Sequence, residues 1–84
     1  MSNFRERIYN LISEQLGVEK EKIIPEAHFA DDLNAGSLEV EELISQIEEK
    51  FGIELDPLKV KKIETVDDLV HLVFDKLNGL LDEE

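Results

Sequence analysis

Cysteine and tryptophan are missing from these 84 residues, and aromatic side chains amount to four phenylalanines and one tyrosine. Without cysteine the chain forms no disulfide and has no thiol of its own to act as a nucleophile. The scarcity of aromatics argues against a stacking platform for single-stranded nucleic acid. Long apolar runs are lacking too. No stretch approaches the length needed to cross a bilayer, and the opening Met1–Glu6 lacks an apolar signal region. The expectation is a cytoplasmic protein with no membrane insertion. A glycine-rich phosphate loop is also absent.

Basic residues are the next shortage. Nine Lys and Arg stand against 21 Asp and Glu, for a formal net charge of -12. Such a surface repels nucleic-acid phosphates and anionic lipid headgroups. It attracts basic protein surfaces and speeds encounter with them, more so at low salt. The expected partners are therefore proteins with positive patches, and no nucleic acid.

What remains is enough apolar material, 42% of the chain, for one compact domain spanning residues 1–84. Its periodicity is helical. Phe4, Ile8, Leu11, Ile12 and Leu16 recur at spacings of three and four, with Ser2 or Asn3 placed to cap the helix and Gly17 placed to end it. Residues 18–36 read as a long loop broken by Pro25 and anchored by Val18, Ile23, Ile24, Phe29 and Leu33. Loops of this length are often functional. A second helix is predicted over about 37–50. Its apolar face holds Leu38, Val40, Leu43, Ile44, Ile47 and Phe51, and its polar row holds Glu39, Glu42, Gln46 and Glu49. Asp56-Pro57 predicts a short third helix. Thr65 with Asp68 has the form of a capping box before a fourth, which Val66, Leu69, Val70, Val73 and Leu77 turn inward and Gly79 would stop. The fold class is all-α: a small four-helix bundle of three longer helices and one short one, with a long loop between the first two.

Catalytic chemistry finds little support. His28 and His71 lie far apart and fit no zinc spacing. Asp31-Asp32 lacks the alternating acids of a calcium loop, and nothing pairs carboxylates for acid–base work. The expectation is a protein that is not an enzyme and has no metal site. Ser37 stands out, at the head of the second helix after an Ala-Gly step. Serine is favoured there as an N-cap for backbone reasons alone. An exposed serine at a helix start is also open to a modifying enzyme, and the free N–H groups there favour a phosphate.

The run Phe29-Ala30-Asp31-Asp32-Leu33-Asn34-Ala35-Gly36-Ser37-Leu38-Glu39, continued by Val40-Glu41-Glu42-Leu43, resembles the acyl carrier protein signature. Ile47 to Leu55, Ile12 to Val18 and Ile63 to Leu69 resemble flanking parts of the same family, so the resemblance covers nearly the whole chain. It implies a 4'-phosphopantetheine arm attached covalently to Ser37 by holo-acyl carrier protein synthase or another phosphopantetheinyl transferase. The arm's thiol would hold acyl groups as thioesters for condensing, reducing and acyl-transfer enzymes of fatty-acid or related biosynthesis. By position, Leu38, Glu39, Glu42 and Glu49, with Glu48 beside them, would meet basic docking patches. Val40, Leu43, Ile47, Leu55, Ile63 and Leu69 would line the space that shelters the acyl chain. The carrier is expected to be a monomer. An unmodified acidic binding module of the same fold and an aminoacyl or peptidyl carrier are the alternatives.

Four positions depart from the family pattern. Gly36 stands where aspartate is usual, removing a charge that the modifying enzyme reads. Asn34 replaces glycine at a turn but tolerates a left-handed backbone. Ser45 and Gln46 are more polar than is common. Together they point to a specialised carrier.

Overall fold

A computed structural model describes residues 4–82, with side chains placed for 4–78. Helix α1 spans Phe4–Leu16, α2 Ser37–Phe51, α3 Pro57–Val60 and α4 Val66–Asp82. Among the described residues there is no strand, only an isolated bridge between His28 and Thr65. The all-α expectation of three longer helices and one short one is met.

Each helix follows from local chemistry and from one buried face. In α1, Ile8 and Ile12 are fully buried. The helix closes at Gly17, where φ is +67° and the N–H donates to the Ser13 carbonyl at 2.9 Å. The expected caps Ser2 and Asn3 lie outside the described residues. Helix α2 buries Leu43, Ile44 and Ile47 and ends at Gly52, whose φ of +66° suits a residue without Cβ. Asp56 caps α3 by accepting from the Leu58 N–H at 2.9 Å, with Pro57 at the first helical position. Thr65 Oγ1 accepts from the Asp68 N–H at 3.1 Å, and the Asp68 carboxylate accepts from the Thr65 N–H at 3.1 Å. That is the reciprocal capping box the sequence announces. Val66, Leu69, Val70 and Val73 of α4 are all buried.

Four expectations need correction. The loop is not wholly irregular, because Lys20–Lys22 forms a 3-10 turn. Ile24, expected as an anchor, is 49% exposed. Its neighbour Ile23 takes the inward position at the end of that turn. Leu38, placed on the apolar face of α2, is 66% exposed. It sits in the first turn of the helix, beside the exposed Ser37. Gly79 does not stop α4, which runs to Asp82. Glycine within a helix costs only about 1 kcal/mol relative to alanine, and Gly79 lies inside the helical run of α4.

The long loop is sewn to the head of α4. Phe29 N–H donates to the Glu64 carbonyl at 3.0 Å, Val66 N–H to Ala27 at 2.9 Å, and Asp67 N–H to Pro25 at 2.9 Å. Phe29 and Leu33 are buried beneath these bonds. The loop is thus an ordered strap that ends at the start of α2.

Candidate functional site

The strap delivers its end in a fixed way. Asp32 accepts from the His28 N–H at 2.8 Å, and the Asp32 and Leu33 N–H groups donate back to the His28 carbonyl. Asn34 then adopts φ of +60°, the left-handed turn residue its sequence permits. Ala35 N–H closes the loop onto the Phe29 carbonyl at 2.7 Å. Gly36 follows as the N-cap of α2 and Ser37 as its first helical residue. Ser37 itself is therefore not the N-cap, and the backbone reason for a serine at a cap does not account for it.

Gly36 has no side chain with which to cap the helix. Glu39 compensates from the other direction, its Oε1 accepting from the Gly36 N–H at 2.9 Å. A Cβ at Gly36 would lie 3.0 Å from that same carboxylate oxygen. The backbone of Gly36, with φ of -83° and ψ of 179° in magnitude, is ordinary extended chain. The first helical bond runs from the Val40 N–H to the Gly36 carbonyl at 3.0 Å. The N–H groups of Ser37, Leu38 and Glu39 precede it and point out of the helix end, where they favour an anionic oxygen.

Ser37 is exposed and stands on the rim of a cleft of about 590 Å³ between the strap, the head of α2 and α3. The apolar wall includes Phe29, Ala35, Val40, Val60 and Ile63, and the charged rim holds Asp31, Glu41, Lys61 and Glu64. Of the residues expected around an acyl chain, Val40 and Ile63 lie on this wall. Leu43, Ile47, Leu55 and Leu69 lie in the closed core. Ala35, Val60 and Lys61 also line the cleft, and the sequence did not single them out for it. Four helical residues carry no periodicity that would have signalled which groove α3 faces.

The acids of α2 divide into two kinds. Glu39 bonds the Gly36 N–H, and Glu48 accepts from the Leu55 N–H at 2.8 Å across the helix exit. Glu41, Glu42 and Glu49 are exposed, and no ion pair engages them among the described residues. Asp68 is held below its ordinary carboxylate range. The Glu64 N–H bond is the largest cause; burial opposes it, and further bonds from Thr65 and the nearby His28 add to the lowering.

Comparison with known proteins adds an independent line. The sequence model of the family described as "Phosphopantetheine attachment site" matches residues 6–73. An acyl carrier protein of Thermosynechococcus vestitus is 41% identical over 76 residues, covering 90% of this chain and 94% of the relative. A solved structure described as an acyl carrier protein from Mycobacterium tuberculosis superposes with a TM-score of 0.82 at 27% identity, over 87% of this chain and 97% of that one.

Proposed function

We propose that this chain, which belongs to the acyl carrier protein family, holds acyl intermediates on a phosphopantetheine arm at Ser37 and presents them to biosynthetic enzymes. The observation that carries the reading is the position of Ser37. It is exposed, first in its helix, flanked by unpaired N–H groups and set on the rim of a partly apolar cleft. The residues suit the group: the helix head favours the phosphodiester, and Val40, Val60 and Ile63 offer apolar surface beside it. The arm, when attached, supplies a terminal thiol that carries the acyl group as a thioester. This chain's own residues supply the rest. Ser37 is the tether, the strap fixes its height, and the cleft wall covers apolar cargo.

Delivery to fatty-acid or related enzymes belongs to the same proposal. Glu42 and Glu49 are free for basic docking patches, and Glu39 reaches them at the cost of its bond to Gly36. Leu38, standing in solvent beside the serine, supplies an apolar contact. Wet, charged docking of this kind gives rapid and reversible encounter, which a carrier serving several enzymes needs. Incubation with coenzyme A and a broad-specificity phosphopantetheinyl transferase tests the tether by intact-mass spectrometry. Wild type gains the mass of one arm and Ser37→Ala gains none. A wild type that never gains mass points instead to an unmodified binding module, the reading that Gly36 favours.

A further inference from the structure

In a chain of net charge -12, one short element runs the other way. Helix α3 and the turn after it carry Lys59, Lys61 and Lys62, all exposed. Among the described residues none of the three has an ion-pair partner. Lys61 and Glu41 of α2 both line the cleft that holds Ser37. Lys59 and Lys62 border a shallow groove on the far side of α3 with Asp68, His71 and Asp75. The Asp68 carboxylate is already committed to the Glu64 and Thr65 N–H groups. Leu58, 69% exposed, crowns the same helix as Leu38 crowns α2.

We infer that the docking surface around Ser37 is bipolar, and that its partner is an enzyme face with a basic patch opposite α2 and an acidic patch opposite α3. Charge complementarity carries the argument. Helix α2 sets five glutamates against one lysine between Ser37 and Phe51. A partner reaching into the cleft meets both Glu41 of α2 and Lys61 beside α3. At physiological salt the Debye length is about 8 Å, so an approaching protein feels the overall negative field first and α3 only on contact. The lysines therefore do little to speed encounter. They set orientation, and they reject a face that is basic throughout, because like charges brought together repel. The two leucines give the neutral contact points between the charged halves.

This inference rests on Ser37 being the docking focus, but its test needs no arm. Binding of the unmodified chain to the condensing enzyme of its own source organism is measured by fluorescence anisotropy at low and at physiological salt. Intact-mass spectrometry of the arm is run separately, so loss of the tether reading and loss of this one are told apart. Lys59→Glu/Lys61→Glu/Lys62→Glu weakens binding by about tenfold or more at both salts, with its helical circular dichroism unchanged. Glu42→Lys weakens it chiefly at low salt. The alanine versions of the three lysines keep the measurement decisive if the glutamate variant unfolds, and they weaken binding to a smaller degree. Unchanged or tighter binding by the lysine variants overturns the proposal, since a uniformly basic partner welcomes the added acids.

Discussion

At the scale of single residues, the pairing of Gly36 with Glu39 governs how the serine is presented. Glu39 accepts from the N-cap N–H, while the N-cap offers no acceptor in return. Aspartate at position 36 would supply one for the first-turn N–H groups, a geometry that its extended backbone allows. Its Cβ would displace only the end of the flexible Glu39 side chain. Gly36→Asp is expected to raise stability by a few tenths of a kcal/mol and to raise the rate of arm transfer by restoring charge before Ser37. A thermal melt and a time course of mass gain check the two halves separately. Ser37, Asn34 and the box of Thr65 with Asp68 were all legible in sequence, because each depends on neighbours within a few positions. The solvent exposure of Leu38 and Ile24 was not, because helical spacing gives a direction around an axis and not what stands opposite it.

At the scale of elements, the three long helices declare themselves through one stripe of aliphatic side chains apiece. Leu43 and Ile47 of α2 are entirely enclosed. Leu43→Ala or Ile47→Ala is expected to cost about 2–5 kcal/mol through lost transfer energy and an unfilled cavity, measured as a shift in urea midpoint. That burial places these two residues, expected around the acyl chain, in the closed core and not on the cleft wall. The cleft lies one turn nearer the head of α2, at Val40 and Glu41, and its far wall is α3. No periodicity in four helical residues could announce which groove α3 faces, so the sequence did not single out Val60 and Lys61 for it. The overrun of α4 past Gly79 was hidden for a related reason. Glycine marks a helix end only where the backbone turns left-handed, and composition does not reveal φ.

At the scale of the whole molecule, stability couples to pH through the capping carboxylate of Asp68. Its pKa is lowered from 3.8 in the folded chain, first by the Glu64 N–H. A depressed carboxylate contributes stability that is present above the unfolded value and lost as pH falls through the folded one. Wild type should therefore lose thermal stability on acidification from about pH 4 downward. Asp68→Asn, which has no proton to bind there, should start lower and fall less over that window. Parallel melting curves across the acid range would contradict this assignment.

The stitching of the strap to the head of α4 has a mechanical outcome. Three main-chain bonds join residues 25–29 to residues 64–67, so one jaw of the cavity beside Ser37 is clamped to the longest helix. The opposite jaw, α3, makes its main-chain bonds within its own turn, such as Val60 to Asp56 and Ile63 to Val60, and rests on the core through Val60 and Ile63. Segments whose main-chain bonds stay within their own turn yield at lower free energy than those bonded across the structure. Under the proposed function, a bulky passenger would gain room by tilting the lysine-bearing jaw outward, and the charge pattern offered to a visiting enzyme would change with what the cavity contains.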